Sequence, residues 1–116
     1  MCYGTIVFRL NGLNEVVMTD VTFSNNTGYS GAAISITQST NIVLENCTFS
    51  DNVAVEKGGG VYIDSENTKA LVRHCSFLNN SAGNSAGGLY IGDNNVDIRV
   101  HNTTFEDNYA GVEGGE

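Results

Sequence analysis

CTFSDNVAVEKGGGVYI, residues 47–63, is the stretch that decides the fold. It sets Phe49 and Asn52 three apart, follows with Ala54, and ends in Gly58-Gly59-Gly60 and the apolar run Val61-Tyr62-Ile63. The chain writes this pattern again as CSFLNNSAGNSAGGLYI, residues 75–91. An earlier copy is VTFSNNTGYSGAAISI, residues 21–36, and a later one is TTFEDNYAGVEGGE, residues 103–116. Phe23, Phe49, Phe77 and Phe105 stand 26, 28 and 28 residues apart. Repeats of that length mark a solenoid or array, in which each unit buries its apolar face on the next.

Superposing the copies exposes further columns. Five residues before each Phe lies Met18, Leu44, Val72 or Val100, and seven before lies Val16, Ile42, Ala70 or Ile98. Two before lies Val21, Cys47, Cys75 or Thr103. Past the glycines come Ile34/Ile36, Val61/Ile63 and Leu89/Ile91, and Ile6/Phe8 is assigned the same slot one repeat earlier. Each repeat thus holds three short stretches of period-2 apolar residues, the mark of half-buried strands. Asn-, Ser-, Asp- and Gly-rich turns separate them, and no stretch keeps a 3.6-residue period.

Three strands per repeat, stacked at about 4.8 Å, make an all-β right-handed parallel β-helix of about four coils of 26–28 residues. Residues 1–116 read as one such repeat domain, a fragment of a longer solenoid without polar caps. Phe23, Phe49, Phe77 and Phe105 then stack in the core. Asn26, Asn52, Asn80 and Asn108 form an amide ladder at the bend, which supplies partners to turn backbone that would otherwise be buried unpaired. The Ala and Gly columns mark places where the coil is tight. A leucine-rich-repeat-like solenoid is the alternative. Met18-x-x-Val21-x-Phe23-x-x-Asn26 fits its L-x-x-L-x-L-x-x-N template. The glycine pair and the third strand in the convex half favour the β-helix.

The pairing of F-x-x-N with a glycine-led apolar run resembles the repeats of the chlamydial polymorphic outer-membrane proteins and related right-handed β-helix surface proteins. The matching residues are Phe23 to Asn26, Phe49 to Asn52, Phe77 to Asn80 and Phe105 to Asn108. On the glycine side they are Gly31 to Ile34, Gly59 to Tyr62 and Gly87 to Tyr90. The resemblance implies a surface-displayed, adhesin-like passenger, either on a bacterial outer membrane or secreted from a eukaryotic cell. Gly31-Ala32-Ala33-Ile34 departs from the glycine motif, and no membrane barrel follows.

Charge narrows the partners. With 13 Asp+Glu against 5 Lys+Arg and a net charge of −8, the chain repels nucleic acid and anionic lipid. No apolar run is long enough to span a bilayer, and residues 1–10 do not read as a signal peptide. A protein or carbohydrate ligand at a cell surface is the expected partner. Uncapped coils also invite end-to-end self-association. No cofactor or metal is expected, since the three cysteines lack metal-ligand spacing.

β-Helix proteins include polysaccharide lyases and hydrolases, whose sites need clustered carboxylates. Here the acids are scattered: Asp51 and Asp107 share a column two coils apart, and Asp64 and Asp93 occupy different slots of neighbouring loops. Glu45, Arg73 and His101 share one outward column, read as a surface ion pair worth about 0–1 kcal/mol. His74 belongs to the adjoining turn. The expected role is therefore non-catalytic, a stiff rod that displays loops and faces. The alternative is a non-catalytic or degenerate segment of a pectate-lyase-like enzyme.

Tyr62 and Tyr90 share an outward column on adjacent coils and are the candidate ligand contacts, whether for a sugar ring or a protein anchor. A cross-strand ladder that merely covers backbone is the other reading of the same pair. Val17, Val43 and Leu71 form a second outward column, an apolar stripe that suits an interface unless loops cover it. Cys47 and Cys75 point inward on adjacent coils, close enough for a disulfide yet also ordinary as free core thiols. Cys2 has no partner in register. Asn25, Asn46, Asn79 and Asn102 begin N-x-[ST] sequons.

Overall fold

The computed structural model describes residues 2–4 and 8–111. In chain order the strands are β1 (Cys2–Gly4), β2 (Phe8–Asn11), β3 (Asn14–Thr19), β4 (Thr22–Ser30), β5 (Ile34–Thr37), β6 (Thr40–Glu45), β7 (Thr48–Ser50), β8 (Val53–Lys57), β9 (Val61–Ile63), β10 (Thr68–Arg73), β11 (Ser76–Leu78), β12 (Ser81–Ala82), β13 (Leu89–Ile91), β14 (Val96–His101), β15 (Thr104–Glu106) and β16 (Tyr109–Ala110). Every pairing among them is parallel, and each strand lies beside its equivalent one repeat away. One sheet is β3-β6-β10-β14 and a second is β2-β5-β9-β13. The third runs β15-β11-β7-β4 and continues through the long β4 into β8-β12-β16, with β1 also on β4.

The columns of the sequence become ladders. Val16, Ile42, Ala70 and Ile98 pair in register, as do Met18, Leu44, Val72 and Val100. Phe23, Phe49 and Phe77 are buried and stack ring on ring, with centroids 5.1 and 4.7 Å apart. Phe105 adds the next ring at 4.9 Å. Beyond the Asn bend, each coil makes an additional short ladder, in which Gly28, Ala54, Ala82 and Ala110 share one column. Ala54 and Ala82 pack with Ala32 in a small core of their own. A Cβ on Gly59 would sit 2.1 Å from the Gly87 carbonyl oxygen and 2.5 Å from that of Ser81. This is why the glycine column tolerates so little side chain.

The register of the first coil differs from the expected one. Phe8 and Leu10, not Ile6 and Phe8, pair with Ile34 and Ile36. The interval between these strands is 26 residues, as between Phe23 and Phe49, and carrying 28 back displaces the slot by two. Ile6 itself, like Gly114-Gly115, lies outside the described residues. The Cys2 backbone lies in register with Phe23.

The bends are built from left-handed backbone. Asp20, Asn46, His74 and Asn102 occupy one such corner, with φ between 44° and 59°. Asn25, Asp51, Asn79 and Asp107 occupy another, at 54° to 59°. Asn and Asp enter this region more readily than most residues, which explains why they crowd the turns. The principal extents of 30, 28 and 25 Å are nearly equal. Four coils at ~4.8 Å stack no taller than they are wide, so this segment is a stub of solenoid and not a rod.

Candidate functional site

The outward ladder of the β5-β9-β13 sheet runs Ser35, Tyr62, Tyr90. Both tyrosines are half-buried, and their rings stack with centroids 5.3 Å apart and planes 27° from parallel. The stack forms because in-register parallel strands set equivalent side chains one strand spacing apart. Two charged groups frame it. Lys57 Nζ lies 5.0 Å from the centre of the Tyr90 ring, a cation–π distance. The Tyr62 hydroxyl donates to Asp64 Oδ1 at 3.0 Å. Burial and that carboxylate push the Tyr62 phenol up to about 12. The face therefore combines an aromatic platform, a cation and a carboxylate. This set suits a hydroxyl-bearing ring or a peptide anchor.

The charged column behaves as a stacked-neighbour ion pair. Arg73 Nη2 is 3.3 Å from Glu45 Oε2, with the two side chains 44% and 34% exposed. His101 lies in register beside Arg73, and His74 sits at the adjoining left-handed corner, both exposed. Asp51 and Asp107 lie at equivalent exposed corners two coils apart. Asp64 faces Tyr62, while its carbonyl accepts from Asn95 Nδ2 at 2.6 Å. Among the described residues, no three His, Cys, Asp or Glu gather where they could hold a metal ion.

Cys47 and Cys75 are both buried free thiols. Cys47 Sγ donates to the Glu45 carbonyl at 3.4 Å, and Cys75 Sγ to that of Arg73 at 3.3 Å. The bond between the two thiols, and then burial, hold the Cys75 thiol far above its ordinary range. The pair fills core. Val17 is 64% exposed in the second outward column, whereas Val43 and Leu71 are half-buried. The sequon residues Asn25, Asn46, Asn79 and Asn102 are all exposed at left-handed corners.

The amide ladder is continuous. Nδ2 of Asn26, Asn52 and Asn80 donates to Oδ1 of Asn52, Asn80 and Asn108 at 2.9, 2.9 and 3.0 Å. The same oxygens accept the backbone N–H of the preceding member. Nδ2 also bonds a Phe carbonyl one coil back: Asn52 to Phe23, Asn80 to Phe49, Asn108 to Phe77.

A second ladder stands at the opposite bend, and the sequence reading missed it. The Ser39 N–H donates to Asn67 Oδ1 at 2.9 Å, and Asn67 Nδ2 to Asn95 Oδ1 at 2.9 Å. The signal was present ten residues before each Phe, but the column opens with Leu13 and Ser39 and so does not read as asparagine. Lys57, at the end of β8, was missed, and Asp64 was read only as a scattered acid, because neither recurs in the other copies.

A family model described as a right handed beta helix region matches residues 3–114. No curated protein matches the chain, and neither does any solved structure.

Proposed function

The chain belongs to the right-handed β-helix family, and from that premise we propose that it is a non-catalytic binding module of an extracellular or cell-surface protein. The family holds both enzymes and non-enzymes, so the reading rests on the site and not on the fold. The observation that carries it is the Tyr62–Tyr90 stack, with Lys57 over one ring and Asp64 on the other hydroxyl. Such a platform binds by shape and stacking, and a saccharide ring or a protein anchor fits it. The resemblance of the F-x-x-N and glycine motifs to the chlamydial polymorphic outer-membrane repeats supports an adhesin-like role at a cell surface. The loops between coils would supply variable contacts while the ladders hold the faces fixed.

The test is a panel of neutral and acidic polysaccharides incubated with the protein and calcium, scored for binding and for chain cleavage. Binding without cleavage, lost in Tyr62→Ala/Tyr90→Ala, is the expected result. Cleavage would overturn the non-catalytic reading in favour of a polysaccharide-active enzyme. Binding that survives the double substitution would remove the tyrosine face from the site.

A further inference from the structure

The outer surface of the β6-β10-β14 sheet, away from the tyrosines, carries two adjoining hollows. One, of about 210 Å³, lies over Ile42, Val43, Ala70 and Leu71. The other, of about 370 Å³, is walled by Arg73, His74, Arg99, His101 and Asn102. Leu71 and Arg99 line both, so the two form one trough along the strands, apolar at one end and basic at the other.

The charge in this trough runs against the rest of the molecule. Of the 5 Lys and Arg in a chain of net charge −8, Lys69, Arg73 and Arg99 lie here, and so do both histidines. The acids that face them are Glu45, 3.3 Å from Arg73, and Asp97, 2.8 Å from Arg99 Nε. Each guanidinium keeps further donors, since it carries five N–H groups in a fork that fits a carboxylate. The side chains of Arg73 and Arg99 are 44% and 65% exposed, so their outer N–H groups face the trough.

We propose that this trough docks an extended acidic peptide segment of a partner protein. One carboxylate sits on Arg73 and Arg99, and an aliphatic side chain two residues away sits over Val43 and Leu71. The spacing follows from strand geometry: residues i and i+2 of an extended chain lie about 7 Å apart on one face, as do Leu71 and Arg73 on β10. The lining excludes the other anionic candidates. No Phe, Tyr or Trp lines either hollow, so a saccharide finds no broad stacking platform like the tyrosine pair, whereas Val43 and Leu71 suit an aliphatic group. Among the described residues the basic end is flanked by Glu45 and Asp97, so a long polyanion running across the coils meets these carboxylates. The site lies on a different sheet from the tyrosine platform, and neither depends on the other.

The test titrates the ¹⁵N-labelled 116-residue chain with the capped peptide Ser-Glu-Ser-Leu-Ser, followed by amide shifts and calorimetry. The expected shifts fall on residues 41–43, 69–74 and 97–102. Replacing the peptide Glu by Gln weakens binding about tenfold or more, the scale of one lost charge-assisted contact, and replacing its Leu by Ser does so through lost apolar burial. Arg73→Gln/Arg99→Gln does the same, and Arg99→Gln alone, on the more exposed side chain, gives a partial loss in a folded protein. Tyr62→Ala/Tyr90→Ala binds the peptide unchanged. The proposal is overturned if millimolar peptide moves none of these amides. It is equally overturned if the Gln peptide binds as well as the Glu peptide, or if a uronic-acid disaccharide displaces the peptide from the trough.

Discussion

Substituting Asn80 by alanine removes one of the two inner rungs of the amide ladder. In the native chain Asn80 Oδ1 accepts from the Asn52 N–H at 3.0 Å and from Asn52 Nδ2 at 2.9 Å, while its own Nδ2 donates to the Phe49 carbonyl at 2.9 Å and to Asn108 Oδ1 at 3.0 Å. Both Asn52 and Asn80 are 0% exposed, so no water replaces the lost acceptor. A buried N–H stripped of its partner costs about 1–3 kcal/mol, and each further bond contributes roughly 1 kcal/mol. Asn52 Nδ2 keeps the Phe23 carbonyl and Asn108 Oδ1 keeps the Asn80 N–H, which limits the damage. The expected loss for Asn80→Ala is on the order of 3–5 kcal/mol, a large part of the 5–15 kcal/mol that holds a typical domain folded. Asn108→Ala, at a half-buried rung that water can reach, should cost only about 1–2 kcal/mol. Asn80→Asp keeps the two accepted bonds but turns an oxygen toward the Phe49 carbonyl and Asn108 Oδ1, so it should recover stability only under acid, where a protonated carboxyl again donates. Urea unfolding followed by circular dichroism measures all three. A cost below about 1 kcal/mol for Asn80→Ala, or equal costs at Asn80 and Asn108, would refute the view that the rungs act through buried satisfaction.

Other substitutions probe other columns. Gly59→Ala places a methyl against two carbonyl oxygens at 2.1 and 2.5 Å; overpacking against backbone should cost about 1–3 kcal/mol or more, read as a fall in the urea midpoint. Phe77→Ala empties the centre of the ring stack and should cost about 3–5 kcal/mol, with Phe105→Ala, half-buried in the outermost described coil, measurably less. The Tyr62 phenol, raised from its ordinary 10 to about 12, binds its proton more tightly in the folded state. Its contribution to stability is intact below pH 10 and is lost as pH climbs toward 12. Asp64→Ala should lower the Tyr62 step of the phenolate absorbance titration, and an unchanged step would contradict the Asp64 contact.

The fold was legible because a solenoid stacks each residue on its equivalent, which turns sequence columns directly into ladders. Phe, Asn and the paired aliphatics could be read that way before any coordinates. The first-coil strand was misplaced by two residues because loop lengths are not constant, and Phe8 follows the shorter interval. The short ladder beyond the bend went unseen because β12 and β16 are two-residue strands with no apolar alternation of their own. At the candidate site the tyrosine stack followed from register alone. Lys57, at the end of β8, and Asp64, just past β9, flank it without recurring in the other copies. The trough was hidden in another way: Lys69, Arg73, Arg99 and His101 occupy three different columns, and only the side-by-side placement of β10 and β14 brings them together.

The amide-to-amide bonds of the ladder all run one way, from Asn26 toward Asn108. The second ladder runs in the same sense, from Ser39 through Asn67 to Asn95. Every amide carbonyl that accepts in them points back along the chain, and every amide-to-amide bond is donated forward. The solenoid axis is therefore a vector, with unlike ends. Whatever adds to it, whether further coils or another copy, continues both ladders only when it arrives head to tail. Head to head, acceptor would face acceptor across the seam. The directionality of growth is thus written in carboxamides, independently of the loops and faces that do the binding.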